Sequence, residues 1–152
     1  MQFADSFCRG VIRIDDQYFS RIDLKDTNTV SLHPNIAVFN AFSQTTPPRK
    51  DGFCELSINW IDDDGAIELL FTQLSDNGDY QYKGGVCIVD LTAYILLIKN
   101  YGYLSYERQK VPGNDYHGNL LMDKERLPDP IKKIIYSVLA ASSEHRTNPY
   151  IT

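Results

Sequence analysis

The sequence has few of the residues that build disulfide frameworks, and no run that could cross a membrane. Its three cysteines, Cys8, Cys54 and Cys87, are far apart and form no CxxC pair, whereas secreted domains of this size usually carry an even disulfide set. The longest apolar stretch, Ala93 to Ile98, is far too short to span a bilayer. The N-terminus lacks the basic start and apolar run of a signal peptide. These absences predict a cytoplasmic protein that does not associate with membranes.

Motifs for cofactors and metals are also missing. There is no GxGxxG, no GKS or GKT and no GxSxG, and the three histidines show no HxH or HxxxH spacing. Asp62, Asp64 and Glu68 resemble a fragment of a calcium loop, but the sixth-position glycine and the twelfth-position glutamate are absent. Helix capping explains these acids more simply. The sequence therefore predicts neither a cofactor nor a metal site.

Basic clusters are scarce, and acidic ones are not. The 152 residues carry a formal net charge of -5, with acids grouped at 15–16, 62–64, Asp76 and Asp79. A nucleic-acid binder usually presents a basic face, so nucleic acid is not expected as a partner. The acidic groups have two interpretations, a solvated surface or a patch that docks a basic protein.

Tyrosine is the one residue type in clear excess, with ten Tyr beside seven Phe and one Trp. Tyrosines either form the rim of a core or line a partner surface, because one end is apolar and the other polar. Five of them gather around the centre of the chain: Tyr80, Tyr82, Tyr101, Tyr103 and Tyr106.

Hydrophobic patterning predicts a single α+β domain over residues 1–152, with a mixed or mostly antiparallel sheet and two or three packed helices. Residues 1–7 and 144–152 are expected to be frayed. The segment Ile36–Phe42 is short and apolar, and could be strand or helix. The expected strands are Gly10–Ile14, Phe53–Ile61, Val86–Val89, Tyr103–Val111 and Tyr116–Met122. The expected helices begin after Asp64, Asp90 and Asp129.

The last of these helices has the clearest pattern. Asp129 is expected to cap it, and Pro130 suits its first turn. Tyr136 is expected to lie outside the apolar stripe. That stripe consists of Ile131, Ile134, Ile135, Val138 and Leu139. We expect it to pack on a sheet that contains Phe53–Ile61 and Val86–Val89.

His117 is the leading candidate for a catalytic residue. It lies in a polar turn with Asn114 and Tyr116, which are candidate ligand-binding residues. A general base needs an imidazole whose tautomer is fixed by a partner. In an enzyme, Arg13 or Arg21 would hold an anionic part of the substrate. The alternative is a histidine that only satisfies backbone groups of the turn.

A cysteine nucleophile is a weaker candidate. Cys54 and Cys87 fall on apolar strand faces, where cysteine behaves as a small hydrophobe. Cys8 precedes Arg9, whose charge could lower the pKa of the thiol, but no base is close in sequence.

The stretches Glu55–Trp60 and Tyr116–Leu121 together resemble a pattern in short uncharacterised bacterial proteins. In those proteins a Leu-Ser-Val-Asn/Asp-Trp strand precedes an Asn-Pro-x-His-Ala segment, where this chain has Asn-Asp-Tyr-His-Gly. The resemblance covers about half of the chain. It adds weight to Ser57, Trp60 and His117 as site residues and implies no activity.

Two functions from different classes fit these features, and whether the protein is an enzyme stays open. The first is a small binding or accessory protein that engages a protein partner through an acidic, tyrosine-bearing surface. The second is a small hydrolase or transferase, acting on a small or nucleotide-like substrate, with His117 as general base. The sequence does not indicate an oligomeric state.

Overall fold

Six antiparallel strands form one sheet in the computed structural model, which describes residues 5–12 and 36–151. Their spatial order is β4-β5-β2-β1-β3-β6. The strands are β1 (Ser6–Gly10), β2 (Cys54–Trp60), β3 (Val86–Asp90), β4 (Leu104–Arg108), β5 (His117–Met122) and β6 (Glu144–Arg146). The described residues also form four helices, α1 (Ile36–Ser43), α2 (Gly65–Thr72), α3 (Leu91–Tyr101) and α4 (Asp129–Ala141). The predicted α+β class is confirmed, with one or two more helices than expected.

The two faces of the sheet pack against different helices. Phe7 of β1 belongs to the larger apolar cluster, which α1, α3 and α4 cover. Its neighbour Cys8 points the other way, because side chains alternate along a strand, and packs against α2. The larger cluster contains Leu56 of β2, Val89 of β3 and Leu139 of α4, all fully buried. The three segments expected to share a core therefore do so.

Two helix signals act as predicted at the ends of α3. The Asp90 carboxylate accepts a hydrogen bond from the Thr92 backbone N–H at 2.8 Å, which satisfies one of the free donors of the first turn. Gly102 ends the helix with φ 68°, and its N–H bonds to the Ile98 carbonyl. A positive φ of this kind favours glycine.

The expected caps of α2 and α4 are wrong. Asp64 makes no side-chain cap, and the neighbouring Asp63 instead accepts the Gly65 N–H at 2.8 Å. Asp129 is already helical, and its carboxylate lies 2.9 Å from Lys132 Nζ. α2 begins at Gly65 as expected, but Asp63 and not Asp64 accepts the N–H of that residue, whereas α4 begins one residue earlier than expected, at Asp129.

The apolar face of α4 is rotated from the predicted stripe. Tyr136, expected outside, is only 7% exposed, whereas Ile134 is 41% exposed. The helix contacts both α1 and α3 as well as the sheet. This broader contact surface includes the tyrosine ring, which a stripe of aliphatic residues alone does not predict.

The described residues near the two ends of the chain, which were expected to be frayed, belong to the fold. Ser6 and Phe7 form the start of β1, which ends at Gly10 rather than beginning there. Residues 144–146 form β6 and pair with β3. Beyond them Asn148 is buried, and its amide donates to the Phe71 carbonyl at 2.9 Å. The tail is held by backbone pairing and an amide, neither of which produces a hydrophobic pattern in the sequence.

Candidate functional site

Ser57 and His117 meet on the face of the sheet that α2 partly covers. In the antiparallel pairing of β2 with β5, Asn59 lies opposite His117, and Ser57 lies opposite Asn119. Residues two apart on a strand share a face, so Ser57 and His117 are diagonal neighbours. Ser57 Oγ lies 3.2 Å from His117 Nε2. The pairing thus joins two residues that are 60 positions apart in the chain.

The other ring nitrogen fixes the tautomer of His117. Its Nδ1 lies 2.8 Å from the Gln109 carbonyl oxygen. A carbonyl only accepts hydrogen bonds, so Nδ1 carries the hydrogen and the Nε2 lone pair is free to accept from the Ser57 hydroxyl. The Gln109 backbone is itself held, because its N–H donates to the His117 carbonyl at 2.9 Å. The imidazole is therefore oriented for proton transfer from Ser57.

Both residues open into a cleft of about 480 Å³. Its walls come from β1, β2, α2 and the loop before β5. Leu69, Leu70 and Tyr82 supply apolar groups to the cleft, and Ser57 and His117 supply polar ones. Its lining consists of Cys8, Arg9, Gly10, Ser57, Ile58, Asn59, Leu69, Leu70, Thr72, Gln73, Tyr82, Val111, Pro112, Gly113, Asn114 and His117. A concave site of this size with a few convergent polar groups is typical of small-molecule binding.

A chain of amides holds the loop of the cleft in place. Asn114 Nδ2 donates to Asn59 Oδ1 at 2.8 Å, and Asn59 Nδ2 donates to the Ala66 carbonyl of α2 at 3.0 Å. Asn114 Oδ1 in turn accepts the Tyr116 N–H at 3.0 Å. Asn59 is 2% exposed, so these bonds are shielded from water. Asn114, predicted to bind ligand, lines the cleft and also positions its loop.

A second polar network lies beside the Ser57–His117 pair. The Asn119 amide donates to Glu107 Oε2 at 2.7 Å and to Gln109 Oε1 at 2.9 Å. Arg49 Nη1 lies 3.0 Å from both Glu55 and Glu107. Asn119 Oδ1 is buried without a hydrogen-bond partner, the one such side-chain atom in the described part of the chain. This network fixes the β4–β5 side of the site.

Arg9 enters the site through a break in the sheet. β1 pairs with β2 only at Phe7–Trp60 and Cys8–Asn59. Beyond that point, hydrogen bonds from the Arg9 guanidinium replace the backbone hydrogen bonds between β1 and β2. It donates to the carbonyls of Ala41 at 2.5 Å, Ser57 at 2.6 Å and Gln44 at 3.3 Å. Two of these carbonyls lie at the end of α1, where the helix dipole favours a cation.

Trp60 and Tyr116 lie away from the cleft. Trp60 is 1% exposed on the opposite face of the sheet, and its Nε1–H donates to the Glu107 carbonyl at 3.2 Å. The Tyr116 hydroxyl donates to Asp63 at 2.7 Å, at the rim of a second cavity of about 380 Å³ that also touches His117. Arg13 and Arg21, the predicted anion-binding residues, lie outside the described residues.

All three cysteines are buried as free thiols. Cys8 lines the cleft, but burial raises its pKa to about 12, and burial does the same for Cys87. A thiol with such a pKa carries almost no thiolate near neutral pH. Cys54 is buried in the core. Cys8 is thus a core residue. Its neighbour Arg9 is a site residue that sequence reasoning missed.

Comparison with protein-family models, curated proteins and solved structures found no match for this chain. Within residues 5–12 and 36–151, no group of three or more His, Cys, Asp or Glu side chains is arranged to hold a metal ion. None of the helices in that part of the chain has the length and apolar character needed to cross a bilayer. The site geometry therefore carries the functional argument.

Proposed function

We propose that this protein is a small hydrolase that cleaves an acyl bond, an ester or amide, with Ser57 as nucleophile and His117 as general base. The observation that carries the proposal is the hydrogen bond between Ser57 Oγ and His117 Nε2, made by an imidazole whose Nδ1–H is held by the Gln109 carbonyl. A nucleophile, a base in reach and a third group that orients the base are the parts that such catalysis requires. The adjoining cleft has the size of a small-molecule site.

The chemistry follows from this arrangement in two steps. Ser57 Oγ attacks the carbonyl carbon while its proton passes to His117 Nε2, and the carbonyl electron pair moves onto the oxygen. The tetrahedral intermediate then collapses, and the leaving group takes the proton from Nε2. In the second step a water molecule gives its proton to Nε2 and attacks the acyl-Ser57 ester, which releases the acid and regenerates the hydroxyl.

The test is reaction with a fluorophosphonate probe, together with hydrolysis of a small activated ester such as p-nitrophenyl acetate. The probe should modify Ser57, as located by peptide mass spectrometry. Ser57→Ala should abolish the modification, and His117→Gln should slow both reactions roughly 100- to 10,000-fold, the usual contribution of a general base. Ser43→Ala is the matched control, since among the described residues the Ser43 hydroxyl bonds only the Asn40 carbonyl.

Melting temperatures of the variants separate chemistry from folding. Ser57 is exposed, so Ser57→Ala should melt close to the wild type. The proposal fails if the folded Ser57→Ala protein hydrolyses the ester at the wild-type rate, or if the probe modifies wild-type protein no faster at Ser57 than at Ser43.

The acidic, tyrosine-bearing surface supports a second candidate function, the binding of a basic protein partner. The Tyr116 hydroxyl donates to Asp63, and the Tyr150 hydroxyl donates to Glu68, so two tyrosines and two carboxylates flank α2. Tyrosine and charge together are common at protein interfaces.

A partner recovered by affinity purification should dissociate as salt is raised. It should also be lost from an Asp63→Asn, Glu68→Gln double variant and retained by the control Asp76→Asn, which changes an acid in a separate turn. Retention by the double variant would remove this candidate.

A further inference from the structure

Arg9 is a partly buried cation that hydrogen-bonds to backbone carbonyls. Among the described residues no Asp or Glu oxygen lies within 4.0 Å of its guanidinium, whereas Arg49, Arg108, Arg126 and Arg146 all form ion pairs. Its three hydrogen bonds go to neutral carbonyls. A cation removed from water without a counter-charge is costly to the fold. Burial accordingly lowers the pKa of Arg9.

The guanidinium has donors left over. It carries five N–H groups, and its three hydrogen bonds to described residues use one each on Nε, Nη1 and Nη2. Within that part of the chain, one N–H on each terminal nitrogen therefore has no acceptor. Two N–H groups on the two terminal nitrogens of a guanidinium match the spacing of two oxygens of a carboxylate or phosphate.

Arg9 also lies where two cavities meet. The cleft that contains His117 and a third cavity, of about 680 Å³, both touch Arg9, Gly10, Ser57 and Tyr82. The third cavity extends toward the end of α1, past Gln44. Both cavities therefore touch Arg9 and Ser57, and Arg9 Nη1 bonds the Ser57 carbonyl at 2.6 Å, so the guanidinium lies beside the backbone of the proposed nucleophile.

We infer that Arg9 binds the anionic group of the ligand, so that the cleft takes a small molecule bearing a carboxylate or a phosphate. This inference deepens the proposed function by naming a substrate class, an ester or amide with an acidic group near the scissile bond. Binding at Arg9 does not depend on catalysis by Ser57, so each of the two proposals can fail alone.

The experiment measures thermal stability of the full chain against inorganic phosphate and against succinate, each compared with sodium chloride at equal ionic strength. Binding to the folded state should raise the melting temperature by about 3–6 °C when the anion is at ten times its dissociation constant. The rise should continue with the logarithm of the anion concentration above the dissociation constant, as binding at one site of the folded state requires. The two anions separate phosphate from carboxylate as the preferred group.

Two variants locate the effect. Arg9→Gln should lose the stabilisation by the anion, and Arg146→Gln should keep it, because Arg146 is an exposed arginine paired with Glu144. Ser57→Ala should keep it as well while losing ester hydrolysis, which distinguishes failure of this inference from failure of the proposed function.

A second measurement covers the case in which Arg9→Gln does not fold. In the wild type, the NMR signal of the Arg9 Nε–H group should move with phosphate or succinate, and the corresponding Arg146 signal should not. The inference is overturned if neither anion stabilises the protein beyond chloride. It is also overturned if a folded Arg9→Gln responds as the wild type does, or if both arginine signals move alike.

Discussion

Gly118 of β5 is the position where a single methyl group should do the most damage. A Cβ placed there would lie 2.5 Å from the Glu107 carbonyl oxygen and even closer to Trp60 Nε1. These two atoms are the acceptor and donor of one hydrogen bond, 3.2 Å long. Neither can move easily, since one belongs to the backbone of β4 and the other to a ring packed between Phe7 and Tyr106.

Gly118→Ala therefore combines two costs. Overpacking of a tight core costs about 1–3 kcal/mol, and an indole N–H left buried without its acceptor costs about 1–3 kcal/mol. A combined loss of about 3 kcal/mol lowers the melting temperature of a domain of this size by about 6–12 °C. The loss is a sizeable part of the total stability of a typical domain, about 5–15 kcal/mol.

Chemical denaturation followed by tryptophan fluorescence measures this loss, because Trp60 is the sole tryptophan in the chain. The emission of the folded variant should also shift to the red as the indole loses its packing. Gly78→Ala is the control. A Cβ at Gly78 meets nothing within 4 Å, although its φ of +88° makes alanine strained by roughly 1 kcal/mol. The clash argument is refuted if Gly118→Ala melts no lower than Gly78→Ala.

Two further changes test the cleft and the core. Gly10→Ala places a Cβ well within 3.0 Å of the Tyr82 ring, which lines the cleft. Because the ring must shift and the shape of the cleft must change, the rate of ester hydrolysis should fall more steeply than thermal stability. An unchanged rate at an unchanged melting temperature would contradict this. Burial raises the pKa of Cys8 and Cys87 from 9.0 to about 12. The stability that these neutral thiols contribute is fully present below pH 9 and is lost between pH 9 and about 12, by about 1.4 kcal/mol per pH unit for each thiol at most. Denaturation at stepped pH measures the slope, and rapid reaction of either thiol with a disulfide reagent in the folded protein at pH 8 would show that the burial argument is wrong.

The sequence predicts those parts of the fold whose signals are local. The alternation in β2, the Asp90 cap and the terminal Gly102 each depend on residues a few positions apart, and the structure confirms them. β6 has no such signal, because its three residues are polar and are held by pairing with β3. The apolar face of α4 was predicted one residue out of place, because Tyr136 packs against neighbours that no local pattern reveals.

In the candidate site, too, the sequence indicates individual residues but not the contacts that depend on the fold. Ser57 and His117 were each singled out from the sequence, but their hydrogen bond depends on the register of β2 against β5, which places Asn59 opposite His117. A shift of one residue would turn one of the two side chains to the other face. For Arg9 the sequence indicates only an effect on the pKa of its neighbour Cys8. Its role depends on the place where β1 and β2 separate, and no residue type marks that place in the sequence.

Two buried asparagines, Asn59 of β2 and Asn119 of β5, make a central part of the sheet polar. A half-buried antiparallel strand normally directs its polar side chains to water, yet Asn59 and Asn119 are 2% and 1% exposed. Asn119 even leaves one oxygen without a partner, a cost of about 1–3 kcal/mol that an apolar residue would avoid. Stability alone therefore does not account for these two buried amides. The arrangement is accounted for if Asn59 holds the loop beside His117 and Asn119 holds the Gln109 side chain, since departures from the apolar pattern are expected where geometry serves a site.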